Sequence, residues 1–230
     1  MRTLLVPAPL VAGDLTLDGD ESHHGLRVLR LRPGDAIRVA DGAGGLGEAI
    51  VATATASLLT VTVGAVEKLS PCPLHALSIV VAPPKGDRWT DLVRGLTELG
   101  VGCIAPLRCA RGEREPANLD RARRVAAEAL KQCRRSHLPE IGTALGIDAV
   151  AAPGRRLIVA DRAGGPAAPG RPQPTTIVIG PEGGLTDDEL AALDRAGAHR
   201  VRLAGPILRI ETAALAAAAV WASAWEHAAP

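Results

Sequence analysis

The chain carries the segment Ile179-Gly180-Pro181-Glu182-Gly183-Gly184-Leu185-Thr186 at the end of a short apolar run. A helix is predicted to begin after Thr186, because a glutamate three residues later completes a capping box. Turns between a strand and a helix are where α/β proteins place their ligands, and glycines let a ligand approach the backbone closely. The segment therefore predicts a ligand-binding loop, although it matches neither the G-x-G-x-x-G nor the G-x-x-x-x-G-K-S/T motif of nucleotide sites. A tight turn without a ligand is the alternative.

Short apolar runs alternate with helical patterns from residue 74 onward, which predicts a parallel α/β sheet. The predicted strands are 77–81, 103–107, 157–160, 176–179 and 200–203. The predicted helices are 87–99, 118–135, one that follows 186, and 212–227. A flexible loop is expected over 162–174, where glycine and proline are frequent.

Residues 1–70 have the pattern of an all-β domain. Partly alternating, β-branched segments at 36–40, 47–52 and 58–63 are separated by turns, which predicts a small barrel or sandwich. One helix is expected over 21–30. Two prolines at 71 and 73 mark a linker, because proline interrupts helices and central strands. We therefore expect a β-domain over 1–70 and an α/β domain over 74–230.

The composition narrows the classes of function. Hydrophobic residues make up 47% and charged residues 22% of the 230 positions, as in a folded globular protein. Phenylalanine and tyrosine are absent, which argues against an RNA reader built on stacked aromatic rings. The net charge of +1 favours no particular partner.

The sequence also lacks several targeting and metal-binding signals. No apolar run is long enough to span a membrane, and no signal peptide is evident. The four cysteines show neither a paired spacing nor a metal-ligand cluster. We therefore expect a cytoplasmic chain with reduced thiols, no membrane partner and no bound metal.

Positive charge is concentrated in and just after the predicted helix 118–135. Between residues 121 and 137 the chain has six cationic side chains and one acid, Glu128. The cations are Arg121, Arg123, Arg124, Lys131, Arg134 and Arg135. A second group, Arg27, Arg30 and Arg32, lies in the β-domain. Both groups are candidate contacts to the phosphates of a nucleic acid, and a solvated helix face is the alternative for the first.

A second segment joins a predicted strand to a helix at the same expected sheet edge. It is Leu203-Ala204-Gly205-Pro206-Ile207-Leu208-Arg209-Ile210-Glu211-Thr212-Ala213. Arg209 and Glu211 stand among apolar residues, where an unpaired charge is costly. A role at a ligand is one interpretation, and pairing with each other or with Glu182 is the other.

Four segments, in their order and spacing, resemble the RsmE family of bacterial SPOUT methyltransferases. They are H-H-G-L-R-V-L-R at 23–30, T-E-L-G-V at 97–101 with P-L at 106–107, I-G-P-E-G-G-L-T at 179–186, and I-L-R-I-E-T-A at 207–213. Members of that family methylate N3 of a uridine in 16S ribosomal RNA with S-adenosylmethionine. The chain departs from the family pattern at Arg94, Arg134, Ala204 and Pro206, where lysine, glycine, glycine and arginine are usual.

The resemblance implies a PUA-like β-barrel followed by a SPOUT α/β domain with a C-terminal trefoil knot. It also implies a homodimer that acts on 16S ribosomal RNA or the small ribosomal subunit, with the two glycine-containing loops around the methyl donor. The implied donor-binding residues are Ile179, Gly180, Glu182, Gly183, Leu203, Ile207, Leu208 and Thr212.

The implied reaction requires a base, because uridine N3 holds its proton at neutral pH. The candidate bases are Glu182 and Glu211. Arg209, or Arg135 from the partner subunit, is expected to stabilise the negative charge that develops on the uracil oxygen. The residues expected to contact RNA are Arg27, Arg30, Arg134 and Arg135. The alternatives are a SPOUT methyltransferase for another nucleotide and a non-catalytic RNA-binding protein of ribosome assembly.

The apolar faces of two helices predict a protein–protein interface. Trp89 begins an apolar stripe on the helix 87–99, and Trp221 and Trp225 lie one turn apart on the last helix. We expect these faces to form part of a dimer interface, with packing inside one chain as the alternative.

Overall fold

The computed structural model describes residues 2–112 and 117–228 and divides into two compact units. The first unit comprises Met1–Pro71 with Ala127–Leu138, and the second comprises Cys72–Ala126 with Pro139–Pro230. None of the described helices is long and apolar enough to cross a membrane. The predicted domain bounds, 1–70 and 74–230, stay a prediction.

A five-stranded sheet forms the first unit. Its strands are β1 (Thr3–Leu5), β2 (Gly13–Leu17), β3 (Ala36–Ala40), β4 (Gly45–Ala54) and β5 (Leu59–Lys68), in the order β1-β3-β4-β5-β2. β1 is parallel to β3, and the other pairs are antiparallel. Alternate side chains fill the core, among them Ile37, Leu59 and Val61, each with no exposed surface. The three strands predicted here are confirmed.

The helix predicted over 21–30 begins earlier and ends earlier. Helix α1 (Gly19–His23) continues into one π-helical turn, His24–Val28. Arg30 has φ of +54°, in the left-handed region, so it lies beyond the helix. A sequence pattern alone does not fix a helix end to within two residues.

A buried carboxylate organises the turn between β3 and β4. Asp41 is 7% exposed and accepts hydrogen bonds from the backbone N–H groups of Leu10 (3.0 Å), Ala43 (2.8 Å) and Gly45 (2.7 Å). Burial raises the pKa of Asp41, but these three donors, with help from the charge of Lys68, outweigh it. The pKa therefore lies below its ordinary value.

The C-terminal half of helix α3 (Leu119–Cys133) belongs to the first unit. Lys131 is 7% exposed, and its ammonium lies 2.8 Å from Glu21 and 2.7 Å from Glu128. Burial lowers the pKa of Lys131, but hydrogen bonds to the two carboxylates raise it by more, so the net shift is upward. Lys131 is thus an internal counter-ion. The prediction that it belongs to a phosphate-binding cluster is wrong.

The second unit is built on seven parallel strands. They are β6 (Leu77–Val81), β7 (Cys103–Arg108), β8 (Glu140–Ile141), β9 (Leu145–Gly146), β10 (Arg156–Pro166), β11 (Thr175–Ile179) and β12 (His199–Arg202). Their order is β12-β10-β11-β6-β7-β8, and β9 also pairs with β7. The predicted parallel α/β sheet is confirmed, whereas the loop expected over 162–174 begins only after β10 ends at Pro166.

Three further helices complete this unit: α2 (Arg88–Leu99), α4 (Asp187–Arg195) and α5 (Ile210–Ala228). Gly100, with φ of +94°, ends α2 as predicted. Asn118 caps α3 by accepting a hydrogen bond from the Arg121 N–H at 2.9 Å, although α3 ends at Cys133 and not at 135.

The predicted apolar faces pack inside the second unit. Trp89 is 3% exposed, and Trp221 and Trp225 have no exposed surface. Helices α2 and α5 pack against each other, which covers both faces. The expectation that these tryptophans form a dimer interface is wrong, because a side chain already removed from water gains nothing from a second burial.

Asp41→Asn should lower the free energy of unfolding by about 2 kcal/mol at neutral pH, because an amide nitrogen cannot accept from the backbone N–H groups. The exposed Asp20→Asn makes the same chemical change outside this network and should cost less than about 0.5 kcal/mol. Urea unfolding followed by circular dichroism measures both.

The same carboxylate predicts a pH dependence. Since the pKa of Asp41 is lower in the folded chain than in the unfolded chain, its stabilisation is complete above about pH 4 and is lost as the pH falls through the folded value. The stability difference between wild type and Asp41→Asn should shrink in acid, and a difference independent of pH would contradict this assignment.

Candidate functional site

Three loops at the carboxyl edge of the parallel sheet enclose a cavity of about 310 Å³. One is a segment inside β10, and the other two follow β11 and β12; Ala160, Ile179 and Val201 of these strands lie side by side in register. The lining residues are 160–162, 179–185, 202–204 and 206–208, with Leu190, Ile210 and Ala213 from helices. A cavity of this size and position suits a small organic ligand.

The glycine-rich loop after β11 is fixed at its end by the predicted capping box. Thr186 Oγ1 accepts from the Glu189 N–H at 3.3 Å, and Glu189 Oε2 accepts from the Thr186 N–H at 2.8 Å. The other carboxylate oxygen, Glu189 Oε1, accepts from the Ala110 N–H at 2.6 Å, so one side chain joins the loops that follow β7 and β11.

The surroundings of Glu189 favour its charged form, which strengthens the hydrogen bonds between the two loops. Partial burial raises the pKa of Glu189, but the N–H donors of Thr186 and Ala110 lower it by more, and Arg111 adds to the effect. The net pKa lies below its ordinary value. Arg111 also donates from Nη1 to the carbonyl oxygen of Gly183 at 2.7 Å, which holds the middle of the glycine-rich loop.

The loop inside β10 brings an acidic residue to the cavity wall. The sequence pattern did not predict this residue. The pairing of β10 with β12 shifts register between Ala160 and Gly165, so the residues between them leave the ladder. Asp161 lines the cavity, and its Oδ2 accepts from Arg200 Nη1 at 3.1 Å. Gly164 passes so close to β12 that a Cβ there would lie 2.6 Å from the Arg200 carbonyl carbon.

The cavity contains most of the predicted donor-binding residues. Those that line it are Ile179, Gly180, Glu182, Gly183, Leu203, Ile207 and Leu208. Thr212 is exposed and is not among the described residues that line the cavity, because Ile210 and Ala213 present the inner face of α5 there. The binding roles themselves stay predictions.

The predicted catalytic residues are more dispersed. Glu182 is exposed and lines the cavity, whereas Arg209 and Glu211 do not line it. Glu211 Oε1 lies 3.7 Å from Arg88 Nη1, so Glu211 pairs with α2 and not with Arg209, the partner that the alternative interpretation gave it. Glu211 Oε2 is buried without a hydrogen-bond partner in the described part of the chain.

The predicted RNA-contacting residues all belong to the first unit. Arg27, Arg30 and Arg134 are exposed, and Arg135 is half-buried. Arg134 has φ of +59°, so it ends α3 and stands outside the helix on which it was predicted. Among residues 2–112 and 117–228 no group of three or more His, Cys, Asp or Glu side chains is placed to hold a metal ion.

Comparison with known proteins shows similarity over most of the chain. A family described as the RNA methyltransferase domain matches residues 70–222, and one described as the RNA methyltransferase PUA domain matches residues 17–64. Two proteins named ribosomal RNA small subunit methyltransferase E are similar in sequence. The one from Mycobacterium bovis is 33% identical, over 91% of this chain and 87% of its own, and the one from Synechocystis is 32% identical, over 92% and 74%.

A solved structure gives the same result. Ribosomal RNA small subunit methyltransferase E from Neisseria gonorrhoeae, determined bound to S-adenosyl methionine, is 28% identical to this chain. The two structures superimpose with a TM-score of 0.88, which covers 98% of each chain.

Glu189→Gln should destabilise the glycine-rich loop, because an amide retains only one of the two oxygens that accept from Thr186 and Ala110. We expect a loss of about 1–2 kcal/mol and faster hydrogen exchange at the Ala110 and Thr186 amides. The neighbouring exposed acid gives the control, Asp188→Asn, which should change neither exchange rate. Unchanged exchange at both amides in Glu189→Gln would contradict the role given to this carboxylate.

Proposed function

Since the chain belongs to the family of ribosomal RNA small subunit methyltransferase E, we propose that it transfers a methyl group from S-adenosylmethionine to N3 of a uridine in 16S ribosomal RNA. The predicted family is confirmed, and so is the fold class of a PUA-like domain followed by an α/β domain. The observation that carries the proposal is the cavity at the carboxyl edge of the sheet, because two loops predicted to hold the donor line it together.

The residues of the cavity fit the purine and ribose of the donor. Leu203, Ile207 and Leu208 offer apolar surface to a purine ring, and the backbone around Gly180 and Gly183 is open to hydrogen bonding. Asp161 supplies a carboxylate, which accepts hydrogen bonds from ribose hydroxyls. The donor supplies an electrophilic methyl group.

Glu182 is the residue best placed to take the N3 proton. Its carboxylate is exposed at the wall of the cavity, where an acceptor base beside the donor could reach it. Glu211, the other candidate base, has one oxygen near Arg88 and the other buried. We therefore assign proton removal to Glu182 and leave to Glu211 the positioning of α2 against α5.

Cationic side chains complete the proposed mechanism. Loss of the N3 proton leaves negative charge on the uracil oxygens, and a guanidinium stabilises that charge. We assign this role to Arg135 of a partner subunit, in a homodimer, with Arg209 as the other candidate. Arg27, Arg30 and Arg134 would contact the RNA backbone, and their exposure supports this.

Further features of the family complete the proposal. The two cavity loops would belong to the trefoil knot of a SPOUT domain. The substrate would be 16S ribosomal RNA or the small ribosomal subunit, and the protein would act in the cytoplasm, where subunits are assembled.

Mass spectrometry of 16S ribosomal RNA after reaction with the purified protein and isotopically labelled donor tests the function. Labelled N3-methyluridine is the expected product, from free RNA or from small subunits. Label on another nucleotide would show that the protein is a methyltransferase with a different target nucleotide. RNA binding without donor binding in calorimetry would show a non-catalytic assembly protein.

Gly183→Val should weaken donor binding at least about tenfold, because it adds a branched side chain at a residue that lines the cavity. The fold should tolerate it, since the first atom that a Cβ at Gly183 meets is Arg111 Cδ at 3.7 Å. Gly146→Val, at a strand position with open space around it, is the matched control. Calorimetry measures both affinities, and unchanged affinity in a folded Gly183→Val protein would refute the site.

Arg135→Ala should reduce the single-turnover methylation rate by about 100-fold or more while RNA affinity falls only a few-fold, as for an interaction made mainly in the transition state. Its neighbour provides the comparison: Arg134→Ala should weaken RNA binding and leave the single-turnover rate at saturating RNA unchanged. If Arg135→Ala loses affinity alone, Arg135 is a phosphate contact and Arg209 becomes the candidate for charge stabilisation.

A further inference from the structure

A second cavity, of about 340 Å³, lies in the second unit beside the carboxyl end of β6. Its walls are the loop between β6 and α2, the first turn of α2 and the first residues of α3. The lining residues are Pro83, Pro84, Lys85, Gly86, Asp87, Trp89, Thr90, Ala117, Asn118 and Arg121. The proposed mechanism does not use this cavity.

The described residues of this cavity offer hydrogen-bond donors and positive charge. Among the described lining residues, Lys85 and Arg121 are the cations and Asp87 is the one acid. Asp87 stands at the N-cap of α2 but makes no capping hydrogen bond, so the first N–H groups of α2 have no side-chain acceptor there. Its carboxylate instead lies 2.6 Å from Arg121 Nη1. Arg121 is thus already paired with a carboxylate of the protein itself.

A buried donor in the wall also lacks an acceptor. Trp89 lines the cavity and is 3% exposed, and its indole N–H has no hydrogen-bond partner in the described part of the chain. Leaving a buried donor unsatisfied costs about 1–3 kcal/mol. Together with the uncapped start of α2 and the two cations, this donor favours an acceptor-rich, anionic ligand.

The two cavities are neighbours at one edge of the sheet. β6 pairs with β11, and Val81 lies opposite Ile179, which lines the first cavity. Adjacent strands are about 4.8 Å apart. The ion pair of Arg88 with Glu211 joins segments that line the two cavities, because Asp87 and Trp89 line the second and Ile210 lines the first.

We propose that the second cavity binds a phosphodiester of the RNA strand that carries the target base, with the phosphate replacing Asp87 as the partner of Arg121. The inference rests on the proposed function, since it takes the first cavity as the donor site. In this proposal Arg121, near the N-terminal end of α3, contacts a phosphate. This contact holds the RNA strand within one nucleotide's reach of the methyl donor.

The matched pair Arg121→Ala and Arg123→Ala tests the proposal. Both arginines lie on α3, are about half exposed (52% and 54%) and pair with an aspartate, but Arg123 pairs with Asp120 and also contacts the Ile141 carbonyl, outside the cavity. Arg121→Ala should weaken binding of a 16S ribosomal RNA fragment about tenfold and flatten its log–log salt dependence by about 0.7–0.9. Arg123→Ala should change affinity less than about twofold. Equal effects of the two variants would overturn the proposal.

Asp87→Asn should act in the opposite direction. Removing the internal carboxylate frees Arg121 and removes a charge that repels the phosphate, so RNA affinity should rise about threefold or more. Unchanged or lower affinity would show that Asp87 does not occupy the place of a phosphate. Inorganic phosphate, at constant ionic strength, should compete with RNA on the wild type and not on Arg121→Ala, and equal competition on both would place the phosphate elsewhere.

The binding measurements separate this inference from the proposed function. RNA affinity is measured without donor, and donor affinity is measured by calorimetry without RNA. If wild type binds S-adenosylmethionine and methylates 16S ribosomal RNA while Arg121→Ala binds RNA normally, only the inference fails. If the wild type neither binds the donor nor methylates RNA, the proposed function fails.

Discussion

Both cavities depend on the parallel alignment of β12, β10, β11 and β6. When strands run in one direction, all their carboxyl ends reach the same edge, and each loop that follows a strand must begin there. The register places Ala160, Ile179 and Val81 side by side, so loops separated by many residues in the sequence share one wall. The hydrogen bonds of the ladder thereby determine which loops meet, and the loop sequences determine what they bind.

Much of this arrangement follows from local sequence. The apolar runs, the capping box of Thr186 and Glu189 and the glycine that ends α2 act over a few residues, so the chain itself specifies them. The two cavity loops were predictable for the same reason. Asp161 was not, because its position depends on the register shift of β10 against β12, a contact with a strand almost forty residues away. The only local signal is an acid directly after the apolar run 157–160.

Charge and burial also depend on tertiary partners that a linear pattern does not reveal. Lys131 lies among cationic residues in the sequence, as in an RNA-binding segment. In the folded chain it forms internal ion pairs with two carboxylates. Trp221 and Trp225 look like an interface and are interior. Arg121 and Arg200 are each held by aspartates. A net charge close to zero therefore does not argue against a phosphate contact, because the exchange of an internal acid for an external phosphate requires no excess of positive charge.

The membership of residues 127–138 in the first unit affects the order in which the chain can fold during synthesis. Leu130 packs with Ala40 and Leu46 in a small cluster, and Lys131 binds Glu21, so a nascent chain that has released only its first 71 residues still lacks these contacts. More than fifty residues of the second unit must leave the ribosome before these contacts can form. The main core of the N-terminal sheet, by contrast, is made only of residues within 4–66, so the late-arriving segment completes one edge of the unit and not its centre.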